Sequence, residues 1–412
     1  MPVFLWELGL GLAGLCLLVG VSGAAFALAL GPWQRLSRSR ALAALLGWTF
    51  ALELVLVLLV ALSASALDGS AVAHGLGPVP LVVALAVGAA NGAYNAFYWS
   101  TQRALFASLG SERDSGRRYG NLQIVVAVFV KLGILLGGLL LDADGIGWIL
   151  LLSCVVGTAA TWRLAADADA RPLQDEPYVS LRESLAYRDR SGSAPVFAID
   201  GLFLYLESHF WTLSLFLLVR EDHSRLGAVV VLLGIGFALL FLLVKNRIDH
   251  PAVVGPVYRA CVGLYALSWL LRVLVDETTG AAVTFVLLLA VTFCSSLFRL
   301  AFNKRFFDVA ATTPRGTIGY LVAKSHVSQL VLAAVFVPLA LALALFSTPP
   351  TARVLDALYL GAAALSLGYL LYRRPGVADD PIGGRHPRTR GVAGPPPDGS
   401  ANRRGPSARV SS

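Results

Sequence analysis

Apolar stretches of about twenty residues recur along nearly the whole chain, broken only by short clusters of arginine, glycine and proline. Coiled as a helix, a run of that length spans a hydrocarbon core of roughly 30 Å. A helix also satisfies its own backbone hydrogen bonds, which lipid requires of any segment that crosses it. A transmembrane barrel would instead show segments of about ten residues with alternating hydrophobicity, and none is present. Of the 412 residues, 57% are hydrophobic and 14% charged, where a soluble domain carries about a quarter charged. The expectation is an all-α, polytopic membrane protein.

Apolar runs between turn and charge clusters predict about eleven transmembrane helices, at 3–30, 41–64, 77–106, 119–141, 146–165, 194–219, 226–245, 257–275, 279–303, 317–346 and 354–372. Cys16, Cys154, Cys261 and Cys294 fall in four different runs with no CxxC spacing and no histidine at ligand distance. They read as small apolar side chains, so neither a disulfide framework nor a metal site is expected. The net charge of +8 does not point to nucleic acid, because eight arginines against three aspartates in residues 373–412 supply most of it. That Gly-, Pro-, Ser- and Arg-rich stretch has too little apolar surface to fold and reads as a disordered cytoplasmic tail.

Basic residues orient the bundle, since Lys and Arg beside short loops stay on the cytoplasmic side. With the N-terminus outside, the cytoplasmic connections hold eighteen Lys and Arg, and the opposite loops only Arg220, Arg225 and Arg353. The same alternation supports the helix count and puts the C-terminus in the cytoplasm. A single methionine, abundant Ala, Gly, Val and Arg, and no eukaryotic targeting signal fit a bacterial inner (plasma) membrane.

The chain also carries the marks of an internal repeat. Gln34-Arg35-Leu36 follows the first helix, and Asn246-Arg247-Ile248 stands 212 residues later. Thr101-Gln102-Arg103 follows the third helix and Asn303-Lys304-Arg305 the ninth, each before a helix opened by glycine. The shared order and near-constant offset imply two pseudo-symmetric bundles. Their bounds are 1–165 and 194–372, joined by a charged cytoplasmic linker at 166–193. In this register helix 194–219 has no counterpart in the first bundle, so a six-plus-six protein would carry a further helix ahead of Met1.

On these features the sequence resembles the major facilitator superfamily of secondary transporters, over about residues 3 to 372. The resemblance rests on the two-bundle layout, the long mid-loop, the paired Arg-containing hairpins and the Gly-opened helices in SERDSGRRYGNLQ and TTPRGTIGYLVA. In the hairpin GPWQRLSRSR, Gln34 stands where the family has an acid and Ser37 where it has a second glycine. The resemblance makes Gln34, Arg35, Asn246 and Arg247 cytoplasmic gate-loop residues. It also puts the cavity-lining helices at 77–106, 194–219 and 279–303.

Ionisable side chains at membrane depth cost about 2.5–3.5 kcal/mol each on insertion scales, so they call for a partner or a purpose. Asp200 and Glu207 lie seven apart, on one face of helix 194–219 with Trp211, while His209 is expected to point elsewhere. They read as a proton-coupling pair or as satisfied hydrogen-bond acceptors. Glu53 and Lys131, near the middles of their helices, join the coupling candidates. Asn91, Tyr94, Asn95, Tyr98 and Gln102 recur at spacings of three and four, forming a polar stripe suited to a watery cavity or to interhelical hydrogen bonds. Ser295 and Arg299 are further cavity candidates, although Arg299 has a plain alternative at the cytoplasmic surface. Lys324 and His326 are expected to snorkel, and Arg272 to anchor an external helix end.

The resemblance implies a secondary transporter that moves a small solute by alternating access, with H+ as the natural coupling ion. No ATP-binding loop is present, no cofactor is called for, and a monomer is the default state. An enzyme such as a lipid-linked glycosyltransferase would need a large external catalytic loop, and the predicted external loops are short. A transport-inactive scaffold is the remaining alternative, kept by the altered hairpin motif.

Overall fold

A computed structural model of the chain describes residues 1–67, 77–109, 125, 129, 132–140, 146–165, 173, 177–220, 222–248, 254–275, 279–313, 316–346 and 350–373. Among them every regular element is helical. The elements are α1 (Pro2–Glu7), α2 (Gly11–Ser39), α3 (Leu42–Leu67), α4 (Pro78–Leu109), α5 (Ile146–Ala165) and the short α6 (Leu181–Leu185). Next come α7 (Ser193–Tyr205), a π-turn (Leu206–Phe210) and α8 (Trp211–Leu218), which together form one crossing. The remainder are α9 (His223–Ile248), α10 (Val254–Val273), α11 (Ala281–Thr312), α12 (Gly316–Leu345) and α13 (Thr351–Ser366), which tightens into a 3-10 turn at Leu367–Leu371. Seven crossings among the described residues are long and apolar enough to span a bilayer by length and composition.

Two boundaries differ from the apolar pattern. The stretch at 3–30 breaks at Gly9 and Gly11, whose φ values of 87° and 67° are left-handed, and the second helix then runs past the arginines to Ser39. Likewise the helix expected at 279–303 continues to Thr312. Loss of hydrophobicity marks where a chain leaves lipid, not where its hydrogen-bond ladder ends. Gln34, Arg35, Asn246 and Arg247 are therefore helical residues, not loop residues. Most of 119–141, including Lys131, lies outside the described residues, as does the tail beyond Arg373.

Small residues set the closest helix contacts. A Cβ on Gly88 would stand 2.8 Å from the Leu18 carbonyl oxygen, and one on Gly92 would collide with that of Ser22, so α4 lies against the backbone of α2. On its other side, α2 meets α12: a Cβ on Gly23 would fall 2.6 Å from the Gln329 carbonyl oxygen. Gly201 of α7 abuts the Ser328 carbonyl of α12 in the same manner. Without a hydrophobic force between helices in lipid, such close approach is what dispersion attraction needs. Further out, α3 packs on α4 and α5, while α10 packs on α11 and α13.

The mid-chain linker is built onto this frame. Ser180 and Glu183 form a reciprocal cap at the start of α6. The Gln34 amide donates to the Val179 carbonyl at 3.1 Å and accepts from its N–H at 2.9 Å. Ser184 meets His326 Nδ1 at 2.9 Å, so His326 is a buried hydrogen-bonding residue and does not snorkel.

Candidate functional site

Between α2, α3 and α4 on one side and α7, α11 and α12 on the other lies a cavity of about 570 Å³. The polar stripe of α4 lines it with Asn91, Tyr94, Asn95, Trp99, Gln102 and Arg103. Helix spacing brings these side chains to one face. The middle of that stripe is also an interhelical ladder. Trp99 Nε1 donates to Asn95 Oδ1 at 3.0 Å, and Asn95 Nδ2 donates to Asn91 Oδ1 at 2.9 Å. Asn91 Nδ2 then donates to Ser22 Oγ at 2.8 Å, which stands 3.1 Å from the Tyr205 hydroxyl. The ladder crosses from α4 through α2 to α7. Tyr98 is not a lining residue; it stacks on Tyr94 at 5.7 Å and meets Trp99 edge-on at 5.0 Å.

Facing the stripe is an ionic network. Asp200 Oδ1 accepts from Arg299 Nη1 at 2.8 Å and from the Tyr369 hydroxyl at 2.8 Å. Asp200 Oδ2 stands 2.6 Å from Lys324 Nζ. Glu207 Oε2 takes Nε and Nη2 of the same arginine at 3.1 and 3.0 Å. Behind Glu207, Arg272 Nη2 lies 3.7 Å from Oε1, with its guanidinium 3.9 Å above the Trp269 ring. The planar guanidinium of Arg299 thus clasps two acids about two helical turns apart, a geometry its rigid fork supports.

Four expectations are corrected here. Lys324 does not snorkel: it is buried against Asp200. Arg299 is held between Asp200 and Glu207, and Arg272 does not project from its helix end but is 3% exposed and donates to Ser268 and Ser295. Ser295 is consequently tied to Arg272 and does not line the cavity. Equal depth is the signal that pairs Lys324 with Asp200. They stand eight residues beyond Gly316 and seven beyond Ser193, on helices entering from the same side, so at about 1.5 Å per residue their heights match.

Helix phase is corrected as well. The wide turn at Leu206–Phe210 adds a residue per turn, which rotates the remainder of the crossing about its axis. As a result His209 lines the cavity while Trp211 does not; Trp211 instead packs on Tyr359 at 6.0 Å and on Arg272 at 5.2 Å. Such turns gather at functional sites.

Glu53 is half-buried on α3, three residues before the cavity-lining Leu56, and among the described residues no cation pairs with it. Arg35 is exposed, and the side chains of Asn246 and Arg247 lie outside the described residues. No cluster of three His, Cys, Asp or Glu that would hold a metal occurs among the described residues.

No protein-family model matches the chain, and no curated protein matches it in sequence. Solved structures do match its fold. The human organic anion transporter MFSD10 (TETRAN) aligns with a TM-score of 0.55 at 17% identity, over 89% of this chain and 87% of its own. The nucleoside transporter NupG aligns at 0.54 and 13% identity, over 90% and 95%. A bacterial homologue of the iron transporter ferroportin in an outward-facing state aligns at 0.58 and 16%, over 90% and 93%. With 89% or more of its length superposed on these structures, the chain shares their fold.

Proposed function

We propose that the chain is a proton-coupled secondary transporter, which moves a small solute by rocking two helix bundles, 1–165 and 194–372, about the central cavity. The proposal includes a bacterial plasma-membrane setting with the N-terminus outside and the C-terminus in the cytoplasm. The observation that carries it is the network of Asp200, Glu207, Arg299 and Lys324 opening on the cavity. Charges with a purely structural task have no need of a watery wall, whereas charges that exchange partners during transport require one.

Arg299 is shared by two acids, so a proton loaded on Asp200 or Glu207 would release part of its grip and shift the other acid's hold on it. That exchange links proton occupancy to the spacing of α7, α11 and α12. Glu53 supplies a third carboxylate at membrane depth, on α3. The transporters of like fold are named for an organic anion, a nucleoside and iron, so fold by itself does not select the cargo.

The experiment is solute-dependent proton movement in reconstituted vesicles, followed with an internal pH dye across a solute panel. The wild type should move protons with at least one solute, and Asp200→Asn and Glu207→Gln should each abolish the coupling while Glu53→Gln tests the second site. Wild-type coupling in both network variants would remove Asp200 and Glu207 from the mechanism.

A further inference from the structure

We infer that the transported solute is an organic anion with an apolar or aromatic body, held at its acidic end by Arg103; this rests on the cavity being the transport site. The side-chain charges of Asp, Glu, Lys and Arg lining the cavity are Arg103, Arg299 and Lys324 against Asp200 and Glu207, and Arg272 stands directly behind Glu207. Both acids are already engaged by Arg299, Lys324 and Arg272. The surplus is positive, and low-dielectric walls focus it into the cavity, which attracts an anion and repels a cation.

Arg103 is where that surplus is available. Its guanidinium lies 5.9 Å from the Trp99 ring centroid, it is half-buried, and no carboxylate among the described residues pairs with it. Gln102 and Asn303 also line the cavity, outside the ladder that consumes Asn91 and Asn95. A carboxylate there would accept two N–H bonds from the guanidinium fork and further donors from α4 and α11, which lie in different proposed bundles. Tyr94 and Trp99 offer rings for the apolar body.

The proposed repeat sharpens the contrast. Arg305 holds the third place of its triplet, as Arg103 does of the other. It is 8% exposed, donates to the Tyr372 carbonyl at 2.7 Å and stacks 3.6 Å from the Tyr258 ring centroid. One arginine of the pair is committed to the fold, and its counterpart faces the cavity.

The test uses three probes of one shape and different charge, namely 2-naphthoate, 2-naphthamide and 2-naphthamidine, titrated into the detergent-purified full chain by calorimetry. Naphthoate should bind at least about tenfold tighter than the amide, as a charge-assisted pair implies, and naphthamidine weakest. Arg103→Gln should erase that preference and Arg103→Lys should restore part of it, with melting temperatures near wild type confirming that both variants fold. Equal or tighter binding of the amide or amidine, no naphthoate binding, or a preference that survives Arg103→Gln would overturn the inference. Naphthoate that binds but does not enter vesicles would leave the anion site standing and defeat the transport reading. Vesicle uptake favouring naphthamidine would do the reverse.

Discussion

The most consequential side chain is Arg299, because two acids depend on it. Removing one member of a buried ion pair costs about 3–5 kcal/mol, since the partner is left charged and unpaired. Arg299→Leu leaves Asp200 only Lys324 and Glu207 only Arg272 at 3.7 Å, and should therefore destabilise the protein by up to that order, read as a fall in melting temperature in detergent. If the variant melts like wild type, the network does not hold the helices together. Asp200 and Glu207 stand out in the sequence because an acid inside an apolar run is expensive. Their partners did not, as Lys324 and Arg299 each had a cheaper explanation at a membrane surface. The preference for snorkelling holds for an isolated helix, and it yields when a neighbour presents an acid at the same depth.

Among the elements, the linker and the π-turn carry what periodicity could not reveal. Residues 177–185 read as charged linker, yet Gln34 grips Val179 by both amide faces. Gln34→Glu keeps the acceptor for the Val179 N–H but loses the donor to its carbonyl, which leaves a buried oxygen unpaired at a cost of about 1–3 kcal/mol. Amide exchange around Val179 should then speed by tenfold or more, measured by hydrogen–deuterium exchange; unchanged protection would show that the clamp is dispensable. The glutamine at a position where the resembled motif has an acid thus has a local reason, because only an amide offers a donor and an acceptor to one peptide unit. The π-turn was invisible for a different cause. The segment LESHF has its buried apolar residues Leu206 and Phe210 four apart, as an ordinary helix would, and an inserted residue changes phase without changing composition.

At the scale of the molecule, the contact of α2 with α12 is the seam that rocking would have to open. Gly23→Leu would drive a side chain into the Gln329 and Ala333 backbone, where no side-chain rotation relieves it. A cysteine placed at Ser325, which is 7% exposed in this arrangement, should then react faster with a maleimide than in the otherwise wild-type protein. Equal labelling rates would mean that the seam does not set accessibility.

Length and polarity of the apolar runs alone determined that this chain is helical, membrane-spanning and many times crossed, because lipid admits only helices and closed barrels and the runs are too long and too uniformly apolar for barrel strands. The same rule exposed Asp200, Glu207 and the α4 stripe as residues out of place in oil. Which cation answers which acid, that His209 and not Trp211 faces the cavity, and that Arg103 is left without a carboxylate among the described residues were decided by tertiary structure. These depend on the relative depth and rotation of helices distant in the chain. A one-dimensional pattern records what each helix can bury, but pairing is a property of the space between helices.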